Sequence, residues 1–299
     1  VRIHLTGHLL AAEPFGGGWG LDLTILEPNE RLALREAFLA SRDLLREPEG
    51  RALVVARDRS CAAMVNEEDH LRLQCYRAGF DPLTTCLDVL AIDRLVEADL
   101  EIAFSEEVGY LTACPTNVGT GLRLSALVHL PGLVLGGEIE KVLNSLRQLQ
   151  FAVRGFEGEG SAVRGALFQV SNLTSLGRGE EDLASDFARH VAKVVHYERM
   201  AIERLYQRDP YALEDLAHRA LAILQHARVM TGQEVLDRLS HVRVGVMLDI
   251  LPRIDAGLLN RALVMTQTAH LQLAAERSLP PLERGRLRAD LLRDLLREV

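Results

Sequence analysis

The hydrophobic pattern changes period near Glu180, and that change does most to limit how the chain can fold. Ahead of it, apolar segments are short and bounded by glycine or polar residues. WGLDLTIL from Trp19, RALVVAR from Arg51, CAAMVN from Cys61, GLRLSALVHL from Gly121, LQFAVRGF from Leu149 and GALFQVSN from Gly165 all read as strands. Helical spacing is interleaved in NERLALREAFLASRDLL, PLTTCLDVLAIDRLVEADL and GGEIEKVLNSLRQ. Gly16 to Gly18 are expected to form a flexible joint. From Glu180 onward, Leu183, Phe187, Val191, Val194, Val195 and Ile202 recur at helical spacing behind an acidic start. Past Asp209-Pro210 the pattern is helical almost throughout. The fold class is therefore α+β, followed by an all-helical C-terminal domain. The expected division is 1–203 and 204–299, inside a break near residues 200 to 210.

Charge and cysteine usage remove several function classes. The net charge is −8, from 34 basic and 42 acidic residues, which disfavours direct binding of nucleic acid through a basic surface. No apolar run approaches the roughly 20 residues that span a bilayer, so no membrane partner is expected. Cys61, Cys75, Cys86 and Cys114 show no CxxC spacing and no histidine-rich neighbourhood. Reduced thiols in a cytoplasm fit them better than zinc or a disulfide framework, and no metal-ligating residue set is expected. The chain begins with Val1 rather than Met, which suggests an alternative start or a trimmed N-terminus.

Four segments stand out, and the first three could carry chemistry together. VNEEDHLRLQ places Glu67, Glu68 and Asp69 side by side, and adjacent carboxylates repel unless a cation sits among them. A solvated loop or a helix first turn is the plainer reading of that segment. TACPTNVGTG puts Cys114 in a turn rich in glycine and threonine, where backbone N–H groups and a nearby arginine favour thiolate. Against that stands the commoner fate of a free thiol, burial in a core. In the strand expected from Gly121, Arg123, Ser125 and Leu127 share a face, and an arginine among apolar residues needs an anion. VRGFEGEGS sets Arg154 at a strand end before Glu157 and Glu159, with glycines that let backbone approach a ligand; a solvated hairpin tip is the alternative. The C-terminal LERGRLRADLLRDLLR reads as an amphipathic helix with a basic face.

One chemistry would use the three segments together. Arg72, Arg123 and Arg154 could clamp the phosphates of a nucleotide with forked donors. Glu68 and Glu159 could hold a guanidinium in bidentate fashion and accept its proton as an N–P bond forms. Phosphoryl transfer asks chiefly for positioning and charge neutralisation, with Mg²⁺ bridging the nucleotide phosphates.

The segments VNEEDHLRLQC, YLTACPTNVGTGLR, VHLPGLVL, VRGFEGEGS, FQVSNLTSLGRGEED and LSHVRVGVMLDIL closely resemble the ATP:guanido phosphotransferases, nearest to the bacterial protein-arginine kinases. The resemblance runs from about Trp19 to the C-terminus. It implies an antiparallel sheet flanked by helices, with Glu68 and Glu159 as catalytic carboxylates and Cys114 near the guanidinium. It implies ATP contacts at Arg72, at Arg123 with the following Leu124, Ser125, Ala126 and Leu127, and at Arg154 with Gly155, Phe156, Glu157 and Gly158. It also implies ATP and Mg²⁺ as cofactors, arginine-containing proteins as substrates and a homodimer built by the helical domain. A Clp protease system and a heat-shock repressor are the implied partners, in protein quality control and stress response.

Three departures from the family pattern bear on activity. The arginine-rich segment that grips ATP at the family's N-terminus is represented only by VRIHLTGHL, with Arg2 and His4, so that region is expected to be truncated or rebuilt. Phe38 stands where the family has a nucleotide-contacting histidine. The phosphoarginine-binding motif keeps Arg284 and Arg288 but carries Gly285 in place of its aspartate. An alternative function follows: a catalytically impaired pseudokinase acting as a dimeric adaptor for phosphoarginine proteins or a repressor. A small-guanidine kinase is a further reading; that class normally relies on a specificity loop in the small N-terminal domain.

Overall fold

The computed structural model describes residues 2–155, 164–297 and 299. Two compact units share the chain: Val1–Ala126 with Ser171–His190, and Leu127–Val170 with Val191–Val299.

The first unit is built on a four-stranded antiparallel sheet. α1 (Arg2–Ala11) leads into β1 (Trp19–Asp22), then α2 (Pro28–Glu36), α3 (Arg42–Arg46), β2 (Ala52–Val55), β3 (Cys61–Val65) and β4 (Leu71–Cys75). The sheet order is β1-β2-β3-β4, with every pair antiparallel. Every residue of β2 and β3 is buried, because the sheet is covered on both faces. Leu5, Leu9 and Phe15 pack with Ala52, Val54, Ala63, Val65, Ile92 and Val96 on one side. Leu23, Leu39, Leu44, Leu53, Val55, Ala62 and Met64 form the core on the other. α4 (Pro82–Asp99) follows, started by Asp81, whose carboxylate accepts the Thr84 N–H. The short strands β5 (Phe104–Ser105) and β6 (Gly109–Tyr110) then pair as a hairpin.

Three local expectations change. The helical pattern over 29–45 is split into α2 and α3 by a turn in which Phe38 takes φ +62°. The segment 71–75 is a strand, although its acidic lead-in reads as loop or helix start. Gly18 is no flexible joint: a Cβ there would meet the Val55 carbonyl oxygen at 2.2 Å, so the backbone is packed directly against β2.

The second unit holds most of a three-stranded sheet and a helical assembly. β7 (Ser125–His129) leads to α5 (Pro131–Leu135), α6 (Ile139–Gln148), β8 (Phe151–Gly155) and β9 (Leu167–Asn172), with sheet order β7-β9-β8. The unit boundary falls within β7 and β9. α7 (Glu180–Arg208) begins in the first unit and continues into the second, so the expected division at 203/204 lies inside one helix. α8 (Pro210–His226), α9 (Gly232–Met247), α10 (Ala256–Met265), α11 (Thr268–Ala274) and α12 (Pro281–Leu295) complete the chain. Asp209, Thr231 and Asp255 cap the first turns of α8, α9 and α10. Their core joins Leu224, Val235, Leu239, Leu259, Ala289 and Leu292. No helix among the described residues is long and apolar enough to cross a membrane.

Candidate active site

The β3–β4 hairpin turns through Asn66, whose φ of +59° suits an asparagine, and Asn66 N–H donates to the His70 carbonyl at 3.0 Å. The turn presents Glu67, Glu68 and Asp69 together, and the cation that three neighbouring carboxylates need is Arg72. Arg72 pairs closely with Glu67, lies 3.3 Å from Glu68 Oε2 and 3.9 Å from Asp69 Oδ2. The Glu67 side chain is only 2% exposed. Burial opposes its charge, but the Ser41 hydroxyl at 2.6 Å, the Glu68 N–H at 2.9 Å and Arg72 together hold its carboxyl below the usual range. Glu67 therefore acts as a fixed anion that orients Arg72. Glu68 differs: its side chain is 44% exposed, so its carboxylate is available to a ligand.

The cysteine turn is strapped to this hairpin. Asp69 Oδ1 accepts the Ala113 N–H at 2.7 Å, which fixes the backbone one residue before Cys114. Asn117 Nδ2 donates to Glu68 Oε2 at 3.3 Å. Cys114 Sγ sits 3.0 Å from Thr116 Oγ1, ahead of a 3₁₀ turn over Pro115–Asn117. Behind the turn, Gly119 takes φ +117°, and a Cβ there would meet the backbone of Ser175 and Leu176 at 2.8–2.9 Å. Its carbonyl accepts the Tyr110 N–H at 2.8 Å.

Arg123 is not on a strand. Asn172 Oδ1 takes the Leu124 N–H at 2.8 Å and Asn172 Nδ2 donates to the Leu122 carbonyl at 3.1 Å, so a side chain replaces the ladder and β7 starts only at Ser125. The expected alternation survives all the same: Arg123, Ser125 and Leu127 are exposed, while Leu122, Leu124 and Ala126 are more buried. Arg123 Nη2 donates to Ser171 Oγ at 3.1 Å. Leu124 is buried, Ser125 exposed and Leu127 43% exposed. Arg154 and Gly155 lie on β8, in the second unit. Phe156, Glu157, Gly158 and Glu159 lie outside the described residues. Arg2 pairs with Asp22. On α12, Arg284 donates to the Leu279 carbonyl, and the buried Arg288 donates to the carbonyls of Thr266 and Met230 at 2.8 and 2.9 Å. A Cβ at Gly285 would meet Val229 Cγ1 at 2.9 Å.

The first unit thus joins Glu68, Arg72, Asn117 and the Cys114 turn, an arrangement suited to a cationic, planar, hydrogen-bond-donating substrate. Residues 16–201 match the model of the ATP:guanido phosphotransferase C-terminal catalytic domain. The chain belongs to the ATP:guanido phosphotransferase family. Members so described transfer phosphate between ATP and a guanido group. Residues 210–299 match the model described as the protein-arginine kinase McsB C-terminal domain. The chain is 40% identical over 264 residues to the protein-arginine kinase of Clostridium novyi (strain NT), covering 88% of this chain and 77% of that one. It is 42% identical over 271 residues to that of Moorella thermoacetica, covering 91% and 77%. Among solved structures, the duplicated taurocyamine kinase of Schistosoma mansoni with transition-state analog components matches with TM-score 0.57 and 25% identity. The match covers 66% of this chain and 29% of that one. A lombricine kinase matches with TM-score 0.54 and 24% identity, over 66% and 58% of the two chains.

Sequence reading singled out Glu68, Arg72 and Cys114, which lie around one hairpin turn, but not the parts that join them. Asp69, Asn117 and Ser41 act across 44, 49 and 26 residues of chain. Asn117 stands in the TACPTNVGTG turn, but nothing in the local sequence marks its approach to Glu68.

Proposed function

We propose that this chain is a protein-arginine kinase, moving the γ-phosphate of ATP to arginine side chains of proteins. The observation that carries the proposal is the strap that brings the Cys114 turn against Glu68 and Arg72 in a member of the guanido phosphotransferase family. Glu68 accepts guanidinium N–H groups, fixes the attacking nitrogen and takes its proton. Glu159 is the second carboxylate of this reading, and Cys114 lies beside the guanidinium. Arg72, Arg123 and Arg154 neutralise the phosphates. Among the described residues no group of three or more acidic, histidine or cysteine side chains could hold a metal ion. On this reading Mg²⁺ arrives with ATP, because it is commonly held by substrate phosphates with few protein ligands. Bound there, it would supply charge neutralisation.

The same reading gives 1–203 the catalytic role and 204–299 dimerisation and phosphoarginine recognition, with Arg284 and Arg288 as the retained motif arginines. It extends to a cytoplasmic setting, a stress response, a Clp protease system and a heat-shock repressor as partners. The names carried by the relatives argue against the impaired adaptor. Incubation with ATP, Mg²⁺ and an arginine-containing protein is expected to yield acid-labile phosphate on arginine, located by mass spectrometry. ATP binding without any phosphoarginine on the protein would reject the proposal.

A further inference from the structure

Cys61 and Cys75 face each other at the end of the β3–β4 hairpin farthest from its turn. Their position in the ladder follows from two backbone bonds: Asn66 N–H to His70 carbonyl at the turn, and Tyr76 N–H to Ser60 carbonyl at 2.7 Å beyond the strands. Hydrogen-bonded and non-hydrogen-bonded pairs alternate in an antiparallel ladder, so 66↔70 and 60↔76 being bonded makes 61↔75 a non-hydrogen-bonded pair. Side chains approach most closely there, with Cα atoms about 4.5 Å apart, inside the span a disulfide bridges. The sulfurs stand 2.9 Å apart, and a disulfide needs them to close by roughly 0.9 Å more. Both are free thiols.

We propose that Cys61 and Cys75 form a reversible disulfide on exposure to peroxide, an oxidation site at the base of the hairpin that carries Glu68 and Arg72. The hydrogen bond from Cys75 pulls the Cys61 thiol down to about 7, while that bond and burial push Cys75 up. Cys61 is the nucleophilic sulfur when the shared proton rests on Cys75, and the two roles exchange when it rests on Cys61. The Cys61 thiolate attacks one peroxide oxygen and the O–O bond breaks. Hydroxide leaves and is protonated to water, and Cys61 becomes a sulfenic acid. The Cys75 sulfur then attacks the Cys61 sulfur, the S–O bond breaks, and a second water departs with the Cys75 proton. Two thiols and one peroxide give one disulfide and two waters. Cys75 is partly exposed, which gives a small oxidant a route. Cys86 is buried with its thiol pushed up, and serves as an internal unreactive control.

The test treats the full chain with hydrogen peroxide, alkylates free thiols and maps the peptides by mass. A peptide pair joined through Cys61 and Cys75, lighter by two hydrogens and separated by dithiothreitol, is expected. It should be missing in Cys61→Ser and Cys75→Ala, and the oxidised wild type should unfold at a higher temperature than the reduced one. Full alkylation of both residues after Cys114 has oxidised would overturn the proposal. So would sulfinic acid at Cys61 without a cross-link. The wild-type mapping decides the matter even if a variant does not fold.

Discussion

Replacing Asp69 by alanine removes the carboxylate that accepts the Ala113 N–H at 2.7 Å and holds the Cys114 turn against the hairpin. The Asp69 side chain is 18% exposed while Ala113 is exposed, so water competes for this bond and the lower part of the usual range applies. A hydrogen bond to a charged group contributes about 1.5–3 kcal/mol. The 3.9 Å approach to Arg72 adds little, because Arg72 keeps its nearer partners Glu67 and Glu68. If the strap sets the population of the assembled site, a loss of about 2 kcal/mol lowers it by roughly 30-fold. The same loss shifts an unfolding midpoint by only about 4–8 °C. Asp69→Asn keeps a neutral acceptor and should fall between wild type and alanine. Steady-state phosphorylation of a protein substrate at a temperature well below both midpoints reads kcat/KM, and calorimetry reads stability. Wild-type kcat/KM in Asp69→Ala, or a collapse of the whole fold, would refute the reasoning.

Other consequences can be checked separately. Gly119→Ala places a Cβ 2.8 Å from Leu176 Cα at φ +117°, and should cost about 1–3 kcal/mol in denaturant unfolding while disordering the cysteine turn. Glu198 is buried and accepts the N–H groups of Gly132 and Leu133 at 2.6 and 3.0 Å. Glu198→Ala strands both donors, so a loss of about 2–5 kcal/mol is expected from chemical denaturation. His129 is held down to about 3, against 6.5 ordinarily, by burial and then by Arg243 and His241; its Nε2 lies 2.7 Å from Ser240 Oγ. The unfolded chain binds this proton first, so the stabilisation present above pH 6.5 is lost as pH falls toward 3. His129→Gln should flatten unfolding free energy against pH in that window.

Much of the framework was legible because burial leaves a simple mark. Continuous apolar runs announced β2 and β3, strands covered on both faces, and the helical spacing past Asp209 announced α8 to α12. β4 was hidden by the acidic run before it, since the local pattern could not reveal that Arg72 would compensate three carboxylates. Arg123 was assigned to a strand because its alternation is regular. Asn172, 48 residues from Leu124, takes the ladder bond instead, and no local pattern encodes that. Gly18 looked like freedom and proved to be close packing, which composition cannot distinguish. At the candidate site, residue types and motif resemblance pointed to Glu68, Arg72 and Cys114, while the contacts of Asp69, Asn117 and Ser41 depend on distant backbone meeting in space.

The most direct measurement is turnover of Glu68→Gln beside its affinity for ATP. The exchange keeps the side chain's size and its oxygen near Asn117 but removes the charge and, on the proposed mechanism, the base. General acid–base groups contribute typically about 10² to 10⁴ in rate. The account predicts a fall of at least about 10² in kcat for phosphoarginine formation, with the ATP Kd changed by no more than a few-fold. Wild-type kcat in Glu68→Gln would contradict it.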